Sequence, residues 1–143
     1  MPQDIRKVLD HIVATYAVRD EQRDIDLNAA PSESGADLES EKREAARREI
    51  ERADELADAF RRGLTLAHAA RTVGQTEVAL DDRDPGQDRV ADALIQFLVR
   101  HELAASRTDE TGPLHYVYHV AVDWDRLTAV AREADVDLAR ALS

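Results

Sequence analysis

The sequence predicts a mainly helical domain carrying a small β-hairpin, and three observations point there. Apolar residues recur at three- and four-residue steps through several segments, the period of a helix with one buried face. One late segment, HYVYHVAVD (115–123), alternates instead, as a strand does. It is preceded by TGPL, a turn short enough to close a hairpin with AASRTDE (104–110). At 143 residues the chain suits one compact domain with room for a tail or linker.

The first element is PQDIRKVLDHIVATYAVRD, whose Ile5, Val8, Leu9, Ile12, Val13 and Tyr16 make one continuous apolar face. Such a face needs a cover, either the rest of the domain or a second copy. DIDLNAAPSESGAD (24–37) has no sustained period and reads as a polar linker. LESEKREAARREIERADELADAFRRG (38–63) reads as a long helix with a narrow seam of Ala46, Ile50, Ala53, Ala57 and Phe60. Gly63 is its expected left-handed stop, and Glu39–Arg43, Glu44–Arg48 and Asp58–Arg62 are acid–base pairs four apart. Residues 1–63 thus form an N-terminal region suited to dimerisation through helices 3–19 and 38–62, and 64–143 a second unit.

LTLAHAARTVG (64–74) reads as a short helix, with Thr65 as a candidate cap and Gly74 as its stop. QTEVALDDRDPGQ (75–87) reads as a connection. DRVADALIQFLVRHEL (88–103) is a strongly amphipathic helix, its apolar side formed by Val90, Leu94, Phe97, Leu98 and His101; Asp88, or an earlier start at Asp84–Pro85, would open it. On the returning strand Tyr116, Tyr118, Val120 and Val122 share one face, and His115, Val117, His119 and Ala121 the other. Asp123 caps WDRLTAVAREA, where Trp124, Leu127, Val130 and Ala131 align. VDLARAL (136–142) closes the chain as a short helix.

Composition bounds the function. There is no cysteine, so disulfides and thiolate metal sites are excluded, and no apolar stretch is long enough for a membrane span. The first 15 residues lack a signal peptide's apolar run, which leads to the expectation of a cytoplasmic protein. The net charge is −11, and 17 of the 19 bases are arginine. This acidic, lysine-poor pattern resembles the proteomes of salt-accumulating microbes, haloarchaea above all; an acidic protein from a GC-rich genome has the same appearance. At molar salt the Debye length falls to about 3 Å, which screens the self-repulsion of such a surface.

GLTLAHAARTVG, DRVADALIQFLVRHELAASR and HYVYHVAVDWDRL together resemble the winged helix-turn-helix domain of small prokaryotic transcriptional regulators, across residues 64–134. The resemblance implies double-stranded DNA as partner, a helix in the major groove, a wing on phosphate or the minor groove, and a dimeric regulator. Arg71, Arg83, Arg89, Arg100 and Arg107 are the cations it offers for DNA binding. From Asp88 onward, however, six arginines face ten acids, and phosphate contacts need local positive charge. A protein-interaction module on the same scaffold is therefore the alternative.

His115, His119 and His101 are candidate metal ligands, weighed against packed or solvated histidines; the latter reading is preferred, and no metal or cofactor is expected. Tyr116 and Tyr118 are expected in the hairpin's core face, and Trp124 as the anchor of the closing helix. Neither a glycine-rich phosphate loop nor a nucleophile elbow occurs, so no enzyme is expected.

Overall fold

The computed structural model describes residues 2–17 and 35–142. In order these are α1 (Pro2–Ile12) with a π turn (Val13–Ala17), α2 (Gly35–Thr72), β1 (Val78–Asp81) and α3 (Gln87–Phe97) with a 3-10 turn (Val99–His101). Then follow β2 (Ala104–Gly112), β3 (His115–Val122), α4 (Trp124–Glu133) and α5 (Leu138–Leu142). The chain is mainly helical with a small antiparallel sheet of three strands. Among the described residues no helix is long and apolar enough to cross a membrane.

The face of α1 is buried as its spacing predicts, at Ile5, Val8, Leu9, Ile12 and Val13. Its cover comes from within the chain, because α1 packs on α2, α4 and α5. Burial of a side chain of this kind contributes roughly 1.5–3 kcal/mol, so this face is a stabilising element of the monomer. Hydrophobic residues from Ile5 to Leu138 belong to one core cluster.

Gly63 does not end a helix. α2 runs through it unbroken for 38 residues, about 57 Å of rod. The glycine is there for close approach: a Cβ at this position would lie 2.8 Å from Leu94 Cγ on α3. One turn away, Phe60 and Phe97 meet edge to face with ring centroids 6.1 Å apart. Thr65 is no cap either, since its hydroxyl donates to Arg61 O at 2.9 Å from within the helix. The actual stop is Gly74, at φ 84°, where Gln75 N returns to Ala70 O at 3.0 Å. Of the expected linker, residues 24–34 lie outside the described residues, while 35–37 form the first turn of α2. Glu44 and Asp58 bond to Arg47 and Arg61 at i,i+3, while their expected i,i+4 partners Arg48 and Arg62 act on them through charge; the Glu39 side chain of the third expected pair lies outside the described residues.

The connection 75–87 hides a strand. Val78 and Leu80 point into the core while Ala79 is exposed, the alternation of a half-buried strand compressed into four residues. β1 pairs with β3, so the hairpin is not a lone ribbon: strand order is β1-β3-β2, with β3 in the centre. Consequently β1 separates the two segments expected to form a helix-turn-helix, and one α-helix, α3, links β1 to β2. That helix opens at Gly86 (φ 82°), not at Asp88, and ends at Phe97.

The end bonds of the sheet fix its hydrogen-bonding phase. Asp123 N donates to Leu103 O at 2.9 Å, and Asp82 N to Tyr116 O at 3.1 Å. Alternation along an antiparallel ladder then directs the odd-numbered residues of β3 to β2 and the even-numbered ones to β1. On β2 the backbone groups of Ala105, Arg107 and Asp109 face β3, and those of Ser106, Thr108 and Glu110 face away from it.

Candidate functional site: the outer face and open edge of the sheet

One side of the sheet lies on the helices. Val120 is buried, and Tyr118 and Val122 pack against the core as expected of that face, while Tyr116 on the same face is only partly buried. The other side carries charge. The β-pairing places Ala79 and Arg107 beside His119, and Asp81 and Asp109 beside Val117, with His115 at the end of the same row.

Two histidines organise this outer face. His115 Nε2 lies 2.7 Å from Asp81 Oδ1 and 3.9 Å from Asp82 Oδ1, while its Nδ1 lies 2.6 Å from Thr111 Oγ1. His119 Nε2 is 2.9 Å from Asp109 Oδ2, and its Nδ1 is 3.5 Å from Glu77 Oε1. Arg107 ties the same two acids together, at 2.7 Å from Glu77 and 2.8 Å from Asp109. The Asp81 carboxyl is held below its ordinary value by the Arg83 backbone N–H first and the His115 ring second. Both imidazoles are thereby fixed in orientation, and β1, β2 and β3 are cross-linked by their side chains.

Asp81, Asp82 and His115 also bring three donor atoms within 4.8 Å of one another, close enough to share a cation. Protein donors already occupy them: Asp81 Oδ1 accepts from Arg83 N at 2.9 Å, and Asp82 Oδ1 from Tyr116 N at 3.2 Å. His101 takes no part in this group, being buried in the core against Tyr16. The three histidines considered from sequence are therefore not gathered; two share the outer face and one is internal. Sequence gave no warning of the Asp81–His115 pairing, because it depends on the unrecognised strand β1.

The five candidate arginines occupy five different settings. Arg71 lies over the Trp124 ring at 5.2 Å, and the His68 ring meets the same indole with centroids 6.2 Å apart. Arg89 donates to Glu55 O at 3.2 Å, and Arg100 to Glu49 Oε1 at 3.4 Å. Arg107 is bound between Glu77 and Asp109. Arg83 is exposed in the loop after β1, and its charge acts on Asp81. The solvent side of α3 presents Asp88, Arg89 and Asp92, two acids to one base.

The remaining feature is an edge. Residues 105–111 of β2 are exposed, and among the described residues the outward backbone groups of Ser106, Thr108 and Glu110 meet no neighbouring strand of the sheet. The hairpin tip adds Leu114, 87% exposed at φ 59°. Comparison with protein-family models, with curated proteins and with solved structures finds no match for this chain.

Proposed function

We propose that this chain is a non-catalytic protein-interaction module that accepts an extended segment on the open edge of β2. The supporting observation is the edge itself: a nine-residue strand, exposed over residues 105–111 and carrying outward N–H and C=O groups in register. Strand addition to such an edge gains main-chain hydrogen bonds with side-chain selection from alternate residues. The electrostatics fit a protein partner better than nucleic acid, because the cations on the sheet and helix faces are matched by carboxylates.

Thr108→Pro tests the reading. Its N–H faces the open side, so proline there leaves the β2–β3 ladder intact while blocking an added strand. A partner recovered by the native chain and lost with Thr108→Pro is the expected result. Recovery of the same partner at equal yield by both proteins would overturn strand addition.

A winged-helix DNA-binding reading retains one observation in its favour: the order helix, strand, helix, hairpin, helix, with exposed Arg83 and Arg89 flanking the Pro85–Gly86 loop. It requires sub-micromolar binding of duplex DNA in fluorescence anisotropy, weakened by Arg83→Glu and Arg89→Glu. Equal signals for both variants and the native chain would remove it.

A further inference from the structure

We propose that the occupant of the β2 edge is a second copy of this chain, paired antiparallel about a two-fold axis through Thr108. The inference rests on the strand-addition reading above and names the partner. It follows from the order of charges along the strand. β2 reads Ser106, Arg107, Thr108, Asp109, Glu110, so a two-fold axis at Thr108 sets Arg107 opposite Asp109 of the other copy, and Asp109 opposite its Arg107. Both residues are half exposed on the outer face and reachable from the edge.

The phase of the ladder strengthens the match. The outward-facing backbone groups belong to Ser106, Thr108 and Glu110, which would therefore form the hydrogen-bonded pairs: Thr108 with its own copy, Ser106 with Glu110. The Arg107–Asp109 pairs then occupy the non-hydrogen-bonded positions, where opposed side chains stand closest. Threonine opposite threonine and unlike charges directly opposite each other are both favourable cross-strand pairs.

The neighbouring registers fail by the same rule. A two-fold axis at Arg107 sets arginine against arginine, and one at Asp109 sets aspartate against aspartate. Only the Thr108 register satisfies both ion pairs and uses the outward backbone groups. It continues the sheet across the axis as β1-β3-β2-β2-β3-β1, an isologous interface that closes as a dimer. Each copy carries a net charge of −11, so long-range repulsion opposes the contact and added salt screens it. The short-range backbone pairing survives that screening, and the dimer therefore strengthens with salt.

Sedimentation of the full chain over a concentration series, at low and at molar salt, tests this. The expected result is a monomer–dimer equilibrium shifted to dimer by salt. Arg107→Asp and Asp109→Arg each place like charges opposite at both symmetric positions and should weaken the dimer about tenfold or more. The double variant Arg107→Asp/Asp109→Arg reverses both charges and should restore it. Thr108→Pro should abolish dimerisation. Hydrogen exchange on the native chain needs no variant to fold: the amides of Ser106, Thr108 and Glu110 should gain protection as concentration rises, those of Arg107 and Asp109 not.

A native chain monomeric at every concentration and salt would overturn the proposal, as would a dimer indifferent to Thr108→Pro. A double variant no tighter than the single ones would overturn the Thr108 register. If the chain stays monomeric yet another protein is captured in a Thr108→Pro-sensitive manner, only the second-copy inference fails. If capture also ignores Thr108→Pro, the strand-addition reading fails with it.

Discussion

Gly63 and Leu94 are in mutual exclusion: any Cβ at residue 63 would stand 2.8 to 3.0 Å from three atoms of the Leu94 side chain. Leu94 is fully buried, so it has little room to retreat. Gly63→Ala gains about 1 kcal/mol in helix propensity and loses about 1–3 kcal/mol to overpacking. The expected outcome in urea denaturation is a net loss of about 1 kcal/mol. In the double variant Gly63→Ala/Leu94→Ala the two costs should fall well short of their sum, because the new methyl enters the space vacated. Additive costs would show that the two residues do not compete for one volume.

Glu49 is 1% exposed on α2, and its Oε1 accepts from Arg52 at 3.1 Å and from Arg100 at 3.4 Å. The second bond reaches from α2 to the turn after α3. Glu49→Ala leaves Arg100 facing a space emptied of its carboxylate, and should cost about 3 kcal/mol by chemical denaturation. A cost under about 1 kcal/mol would assign the pair no structural weight.

Asp123 begins α4 with its carboxylate accepting from Arg126 N at 3.2 Å. Asp123→Ala should destabilise the chain by about 1 kcal/mol, and Asp123→Ser or Asp123→Asn should recover most of it. Equal loss in all three variants would mean that the side chain acts through charge instead of as a cap.

The Asp81 carboxyl is depressed by the Arg83 N–H and by His115. A group lowered in the folded state contributes stability above its unfolded value, and that contribution disappears as pH falls through the folded value. The melting temperature of the native chain should therefore exceed that of Asp81→Asn at pH 5, and the gap should close below about pH 3.8. A gap that persists at pH 2 would show that the contacts of Asp81 matter without its charge.

The helical part of this fold was legible wherever one apolar face repeats. Ile5, Val8, Leu9, Ile12 and Val13, with Leu127, Val130 and Ala131, follow into the core from spacing alone, and the structure buries them. Gly63 misled because a glycine ending a polar helix and a glycine admitting a neighbour look alike in sequence; only the position of Leu94 separates them. β1 misled for a different reason. VALD is too short to show a period, and it lies between turn residues. The outer-face histidines were correctly placed on one strand face, but their partners Asp81, Glu77 and Asp109 come from the strands and turns that pair with it. Partners brought together by register leave no signature in local spacing.

The central position of β3 has one more effect. Its backbone alternates between two neighbours, so the hairpin cannot swing as a loose arm without tearing a row of bonds from β1 as well. A second copy would meet a platform already set in shape and would bring an identical one, so little conformational freedom is lost on either side of the contact.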